Sequence, residues 1–586
     1  MPDFQNSISI KISGKAGEGA LSAADILMNA AASCGFHSSI HKVYSSSVRD
    51  GHCSALVTFS TDEIISAVSS TDILFILNEQ FFDSDNSLRK NCLIIIEEQL
   101  LTNFYFSDIA KEFSECEYKI LSAPINKLSL ETAGFPQLKS MVTVGIITSL
   151  LKLPLETIQI SIQDYFQNKR PGIIRNNLAA LIGGYQYASE NLNYNFPLIQ
   201  PAPSQKEILE GNQAIAQGAL FSGCRFFASY PITPATSIGE YLARGLPQVN
   251  GFAYQAEDEI AAIGAAIGAR FSGVKSMTAT SGPGLSLMQE FIGYASATQI
   301  PLIIVDVQRP GPSTGMPTRH AQEDLLAAAF GGHGEGQRIV LAPLDLKDCF
   351  SLTARSFDIA EKYGCPVIIL SDGATASIRA TIDREEFNQL KETLKSVSMP
   401  EPGDQSPTDN YEAATQSGSP VVFRRISGME LNDHLLPANN SIERKLLVER
   451  RFSLLDSIEK EIPSLVEWDF GPDKSAAYDF CIIAWGLNGS ISKEAIRNLR
   501  MQGLRAAAMY PRLLFPVCKN AINSLLSLSK TLIIPESNYT GQYSRLVKMY
   551  TGADPVSILS YGGEPLTPDQ LTEKIISVVN DSKRIE

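Results

Sequence analysis

Glu259 opens the run EIAAIGAAIGA, which is almost wholly alanine, isoleucine and glycine and reads as a helix with an acid at its head. A carboxylate there gains from the positive end of the helix, and that gain alone would account for one such glutamate. The glycines ask for more. Gly264 and Gly268 lie four apart on one face, and each costs about 1 kcal/mol against alanine in a helix interior. Something is therefore expected to approach that face closely. A carboxylate beside such a close-fitting ligand can accept a hydrogen bond from a ring nitrogen, select one tautomer of a heterocycle and so govern a proton transfer.

Three further loops carry polar residues where a strand passes into a helix. YPITP at Tyr230, Pro231, Ile232, Thr233 and Pro234 sets two prolines around a threonine, holding the loop extended and the hydroxyl in place. The same residues also suit an ordinary turn with Thr236 or Ser237 as a helix cap, and the two readings are compatible. VDVQRPGPSTGMPTRH, Val305 to His320, leaves a buried strand with Arg309, Thr314, Thr318 and Arg319 in a proline-stiffened loop. An arginine so placed suits bidentate recognition of a carboxylate. SGPG, from Ser281 and Gly282 to Gly284, is expected to bring backbone amides close to a ligand. GGHGEG at Gly331 to Gly336 is similar, with His333 read as structural.

Near the N-terminus GKAGEG places Gly14, Gly17 and Gly19 between a strand and a helix. This is not the dinucleotide-binding order of glycines, and YSSSVRDGH brings the basic Arg49 where a ribose-binding acid would stand. A nicotinamide cofactor is disfavoured; a tight turn without a ligand and a phosphate-bearing ligand such as coenzyme A remain open.

The elements that must position these groups alternate strand and helix. At 586 residues the chain exceeds one core, and roughly 150 residues per domain suggests about three or four. Hydrophobic residues make up 44% and charged ones 19%, a balance that suits covered α/β domains. The net charge of −14 argues against nucleic-acid or anionic-membrane surfaces, and no apolar run reaches the length of a membrane span. With no export pattern at the start, a cytoplasmic enzyme is expected. Nine cysteines include no C-x-x-C pair, so any iron-sulfur cluster belongs to a partner. The first segment, with strands at Ile8 to Ile12, Ala55 to Phe59, Ile73 to Asn78 and Cys92 to Glu97, reads as a parallel, doubly wound sheet. A second unit is expected to start with a helix at Glu207 to Phe221, and a charged helix at Ile442 to Ile462 to dock through Leu446, Leu447, Leu454, Leu455 and Ile458.

Taken together, GKAGEG with YSSSVRDGH, YPITP, AEDEIAAIGAAIGA, QRPGPSTGMPTR, GGHGE, SGME, AWG and PESNYTGQ give a chain that resembles the alpha subunit of the 2-oxoacid:ferredoxin oxidoreductases. The resemblance is to the form with a gamma-type domain fused in front, and closest to the 2-oxoglutarate type. It implies a multidomain α/β chain. Residues 1–190 would form a Rossmann-like gamma-type domain implicated in coenzyme A binding, with a linker at 191–205. Residues 206–390 would form the pyrimidine-binding domain of a thiamine diphosphate site, 391–475 an excursion and linking helix, and 476–586 a transketolase C-terminal-like domain. By the same resemblance, Glu259 matches the acid that activates the cofactor's aminopyrimidine, with Tyr230, Pro231, Ile232, Ser281 and Gly282 around it. Thr233 and Arg309 match groups that contact the 2-oxo acid, with Thr318 and Arg319 beside them. Gly14, Gly17, Gly19 and Arg49 match the coenzyme A contacts.

The implied reaction is oxidative decarboxylation of a 2-oxo acid, most simply 2-oxoglutarate to succinyl-CoA, with electrons passing to ferredoxin. A beta subunit would hold the diphosphate, Mg2+ and a 4Fe-4S cluster, in a dimer of heterodimers. Departures from the family pattern are GEG for GQG, RDG for RGG, and RHAQED after GMPT. The same chemistry on pyruvate or a branched-chain 2-oxo acid, a non-redox thiamine diphosphate transferase or synthase, and a non-catalytic assembly subunit are the competing readings. A second substrate carboxylate would need a further cation, from Arg319, Arg270, Lys275 or a partner.

Overall fold

The computed structural model describes residues 6–44, 51–78, 88–102, 118–194, 196, 198–202, 204–397, 428–430, 432, 436–472 and 478–585. Arg49 and the polar stretch from residue 398 to 427 fall outside them. The chain forms two compact units. One comprises Met1–Leu209, Ser377–Phe387 and Thr567–Gln570, and the other Glu210–Ala376, Asn388–Leu566 and Leu571–Glu586.

The first unit is built on an eight-stranded sheet. Strand Ser7–Lys15 pairs in parallel with Thr71–Ile76, which continues in parallel through Leu88–Glu97 to Lys119–Ala123. The other half departs from the expected all-parallel sheet. His52–Ser60 runs antiparallel to both Ser7–Lys15 and His37–Tyr44. The reason is the connection: segment 45–51 is too short for a crossover helix, and strands so joined can only form a hairpin. Strand Arg379–Asp383 then adds antiparallel to His37–Tyr44, with Ser38 N donating to Thr381 Oγ1 at 2.7 Å. Asp25 ties it down through ion pairs to Arg379 and Lys42.

Helices cover this sheet. Lys139–Leu151 and Pro171–Asn191 touch backbone to backbone. A Cβ at Gly145 would stand 2.1 Å from Leu181 O, and one at Gly184 2.1 Å from Val142 O. Those two glycines set how closely the helices approach.

The helix expected at Glu207 to Phe221 is split: Lys206–Glu210 is the edge strand of the eight-stranded sheet, beside Arg379–Asp383, and the second unit opens with helix Gly211–Phe221. Gly211 must open it, because a Cβ there would lie 1.9 Å from Thr375 O. The unit holds a seven-stranded sheet, in spatial order Leu513–Phe515, Ile339–Leu341, Pro366–Asp372, Leu302–Gln308, Ser276–Thr280, Phe226–Ser229 and Phe252–Gln255. Every pairing is parallel except that of Leu513–Phe515. A five-stranded sheet runs Val466–Asp469, Ala506–Pro511, Phe480–Ile483, Leu532–Glu536 and Val556–Leu559, parallel but for the first. Ile304, Ile368, Trp485, Ile534 and Tyr543 belong to one apolar core spanning both sheets.

Helix Ser441–Glu461 is capped by Asn440, which accepts from Ile442 N and Glu443 N. Its expected apolar stripe docks only in part. Leu455 and Ile458 are buried, but Leu446 stays exposed. Arg451 is buried instead, paired with Glu430.

Candidate active site

Strand Phe252–Gln255 delivers the chain to helix Glu259–Phe271, and Asp258 caps that helix, its Oδ1 accepting from Ala261 N at 2.7 Å. Capping is thus already done, so it does not explain why Glu259 lies at 6% exposure. Among the described residues no donor reaches the Glu259 carboxylate. The space it occupies is made by the SGPG turn: a Cβ on Gly284 would stand 2.8 Å from Glu259 Oε1 and 1.9 Å from Thr280 Oγ1. A carboxylate held in so narrow a place without a donor from its own chain is left to a ligand that brings one. This donor-seeking oxygen pair, in a cradle that only glycine permits, fits the ring nitrogen of an aminopyrimidine.

The glycines of SGPG make room for acidic side chains. Gly284 admits Glu259, and Gly282 admits Asp324, whose carboxylate oxygens would both lie 2.8 Å from a Cβ there. Ser281 is fully buried and its Oγ has no partner. On the helix itself, the close approach expected at both Gly264 and Gly268 occurs at neither. Only the Phe291 ring nears Gly264, at an ordinary 3.4 Å, and nothing lies within 4 Å of a Cβ at Gly268.

Strand Phe226–Ser229 leads into the YPITP loop. Tyr230, Pro231 and Thr233 are exposed, Ile232 half-buried. Asn212 holds the loop from behind, donating from Nδ2 to Pro234 O at 2.9 Å and Ser237 Oγ at 2.8 Å. From the end of strand Leu302–Gln308, Arg309 reaches the same loop, its Nη1 donating to Thr233 O at 2.6 Å. Arg309 is 7% exposed, and its buried Nε meets no partner among the described residues. Burial lowers its pKa, while Asp324 and Asp306 nearby oppose that shift. The structure thus brings Arg309 and Thr233 together, with donors of the guanidinium left over.

Beyond Arg309 the loop folds on itself: Met316 N donates to Pro310 O at 3.0 Å and Gly311 N to Glu323 Oε2 at 2.8 Å. Ser313 adopts φ 57°, an uncommon left-handed conformation for a residue with a side chain. Thr318 is half-buried. Arg319 is ion-paired with Glu564, while Arg270 and Lys275 both lean on Glu361 at 2.8 and 3.7 Å. His333 is exposed and meets only Glu290.

Several residues that sequence reasoning passed over close the site. His320 bonds Asp372 Oδ1 at 3.0 Å and Ser537 Oγ at 2.8 Å. Burial opposes ionisation of Asp372, but the His320 ring and Thr375 hold its carboxyl below the usual range. Gln322 accepts from Asn488 Nδ2 at 2.7 Å and Ser537 N at 3.1 Å. RHAQED, AWG and PESN are thus parts of one buried hydrogen-bond network. Asp306 and Asp324 were visible as acids flanking Arg309, one of them inside an otherwise apolar strand.

In the first unit Gly17 and Gly19 have φ of 93° and 83°. A Cβ on Gly14 would meet Glu18 Oε2 at 2.8 Å, and one on Gly19 would meet Ser140 Oγ at 2.5 Å. The loop's anion is its own Glu18, which accepts from Lys15 N at 2.7 Å, Asn78 Nδ2 at 3.1 Å and Lys139 Nζ at 2.6 Å. Arg49, expected beside these glycines, falls outside the described residues.

Comparison with known proteins gives two family matches. Residues 217–446 match the thiamine diphosphate-binding region of pyruvate flavodoxin/ferredoxin oxidoreductase, and residues 9–187 match pyruvate ferredoxin/flavodoxin oxidoreductase. The 2-oxoglutarate synthase subunit KorA of Methanothermobacter marburgensis is 36% identical over 383 residues, covering 64% of this chain and 100% of its own. The alpha subunit of the Sulfolobus sp 2-oxoacid:ferredoxin oxidoreductase is 30% identical, covering 98% of each chain. Among solved structures, 2-oxoglutarate:ferredoxin oxidoreductase from Magnetococcus marinus, with 2-oxoglutarate, coenzyme A and succinyl-CoA bound, superposes with a TM-score of 0.88. Its identity is 29%, over 98% of this chain and 100% of that one.

Proposed function

We propose a function from one premise, that this chain belongs to the 2-oxoacid:ferredoxin oxidoreductase family: it is the alpha subunit, with a gamma-type unit in front, of an enzyme that converts 2-oxoglutarate and coenzyme A to succinyl-CoA and carbon dioxide and passes the electrons to ferredoxin. The observation that carries this reading is Glu259, 6% exposed in its glycine cradle, whose carboxylate meets no donor among the described residues. Bound thiamine diphosphate supplies the electron-accepting ring that lets carbon dioxide leave a 2-oxo acid. Glu259 accepts a hydrogen bond from the aminopyrimidine nitrogen and holds the proton there. Arg309, fixed to the YPITP loop through Thr233 O, keeps donors for the 2-oxo carboxylate, and Thr233 presents its hydroxyl alongside.

A beta subunit completes the site, contributing the diphosphate and Mg2+ positions and the 4Fe-4S cluster, in a dimer of heterodimers. Support comes from the edge strand of the seven-stranded sheet, where Phe252 is 61% exposed and Tyr254 is exposed too, and from exposed Ile260 on the helix that follows it and Tyr230 on the loop after the neighbouring strand. Such apolar residues on one edge suit burial against another chain. Arg319, on the loop with Arg309 and Thr318, is the cation we assign to the second carboxylate of 2-oxoglutarate. Gly14, Gly17, Gly19 and Arg49 are assigned to coenzyme A. Among the described residues no helix is long and apolar enough to cross a membrane, and we place the enzyme in the cytoplasm.

The test is to co-express both subunits and follow reduction of a low-potential dye with 2-oxoglutarate, pyruvate and a branched-chain 2-oxo acid. Turnover is expected with 2-oxoglutarate, dependent on coenzyme A, and its loss is expected in Glu259→Gln. Wild-type turnover in that variant overturns the reading.

A further inference from the structure

Asp306 stands fully buried on the strand Leu302–Gln308, among Val305, Val307 and their neighbours, and among the described residues neither of its oxygens has a donor. Asp324, on the turn before helix Leu325–Phe330, comes within side-chain hydrogen-bonding reach of it. Its Oδ2 is sealed from solvent and also lacks a donor. Gly282 is what lets Asp324 come in, as no side chain larger than hydrogen fits there. Two ionised carboxylates accept and never donate, so as a dianion this pair would leave buried acceptors unmet and like charges in contact. One proton between them turns one acid into a donor to the other, pairing one oxygen of each and removing the clash of like charges.

We infer that Asp306 and Asp324 share one proton, and that the single charge they carry positions Arg309 for the 2-oxo acid carboxylate. The charge balance supports this. Burial, then each other's proximity, pushes the Asp306 carboxyl well up; burial and Glu323 push Asp324 up to about 7. Arg309 is the cation that opposes both shifts. Yet no ion pair within 4.0 Å joins Arg309 to either acid among the described residues, so the pair steadies the guanidinium through space and leaves its donors free. A tight salt bridge would hold the charge equally well but occupy the fork that has to grip the substrate. The groups facing the pair are Arg309, Glu323 on the Asp324 turn, and the neutral Gln308, whose Oε1 accepts from Asp324 N at 3.1 Å. Asp306 and Asp324 are positioning residues: they act through Arg309. Loss of the shared proton at alkaline pH adds a second negative charge beside Arg309, which weakens its hold on a carboxylate.

This inference rests on Arg309 binding the 2-oxo acid, and the experiment separates the two. In the chain alone, infrared difference spectroscopy across neutral pH should show the carbonyl band of a protonated carboxyl. The band should vanish in D306N and in D324N, with unchanged circular dichroism showing that each variant is folded. In the complete enzyme, wild-type KM for the 2-oxo acid should climb about tenfold as the second carboxyl ionises, and in D306N that alkaline rise should disappear. D306N/D324N should raise this KM about tenfold at neutral pH, with little change in kcat or in KM for coenzyme A. Absence of the band, or an alkaline rise kept in D306N, overturns the shared proton. If the band is present but Arg309→Ala leaves KM for the 2-oxo acid unchanged, the assignment of Arg309 fails instead, and the positioning role with it.

Discussion

Replacing Gly284 by alanine puts the glycine cradle under Glu259 to direct test. The added methyl would sit 1.9 Å from Thr280 Oγ1, 2.7 Å from Glu259 Cγ and 2.8 Å from Glu259 Oε1, well inside van der Waals contact. Thr280 is fully buried on its strand, so its hydroxyl or the turn must shift to relieve the 1.9 Å contact, and Glu259 is pushed out as well by the other two. Overpacking of this kind costs about 1–3 kcal/mol in stability. The greater effect falls on catalysis, because the displaced carboxylate no longer meets the ring nitrogen. Loss of a buried charged hydrogen bond costs about 2–5 kcal/mol, and at about 1.4 kcal/mol per decade that is roughly 30-fold to several thousand-fold in turnover. Gly268→Ala is the companion: with nothing within 4 Å of its Cβ, it should stabilise the isolated chain by about 0.5–1 kcal/mol through helix propensity. Urea unfolding of the chain reads the first quantity and dye reduction by the complete enzyme the second. Gly284→Ala with unimpaired turnover would show that Glu259 is not held where the reasoning needs it.

Arg309→Ala should raise KM for the 2-oxo acid far more than that for coenzyme A, by about 2–5 kcal/mol in kcat/KM, measured by steady-state kinetics. Arg319→Ala should lower kcat/KM for 2-oxoglutarate relative to pyruvate; an equal loss on both would remove Arg319 from specificity. In the first unit, Lys139→Met strands the Glu18 carboxylate, a change expected to cost about 3–5 kcal/mol by denaturant unfolding. Asp348 has its carboxyl raised to about 6 by burial and by Asp345, against the pull of Arg512. A carboxyl raised in the folded state binds its proton more tightly there, so its contribution is full below about pH 4 and fades as pH climbs through about 6. Measured at both ends of that window, Asp348→Asn should therefore gain on the wild type as pH rises.

The chemistry-bearing motifs were legible because each joins an unusual residue to a change of periodicity: Glu259 at the head of an alanine-glycine helix, Arg309 at the end of an apolar strand. What the sequence concealed is long-range. The antiparallel half of the first sheet depends on pairing across segment 45–51, and strand Lys206–Glu210 depends on a sheet edge, so helical patterning at 207–221 misled at its start. The glycines misled in another way. Gly264 and Gly268 suggested close contact and have little, whereas Gly282 and Gly284 make room for acids far along the chain. His320 and Gln322 showed only as part of the departure RHAQED, because their partners, Ser537 and Asn488, lie about 170 to 220 residues away and could not be paired from local pattern.

The strand Arg379–Asp383 bears on how this polypeptide can be divided. Ser38 and Thr381 exchange hydrogen bonds in the first unit, and Asp25 is neutralised in part by Arg379. A fragment ending near residue 205 would leave the backbone groups of His37–Tyr44 open on one side and Asp25 short of a cation. Unpaired edges of that kind recruit other chains, so such a fragment should clump in solution, whereas one carrying 377–387 on a short tether should stay dispersed.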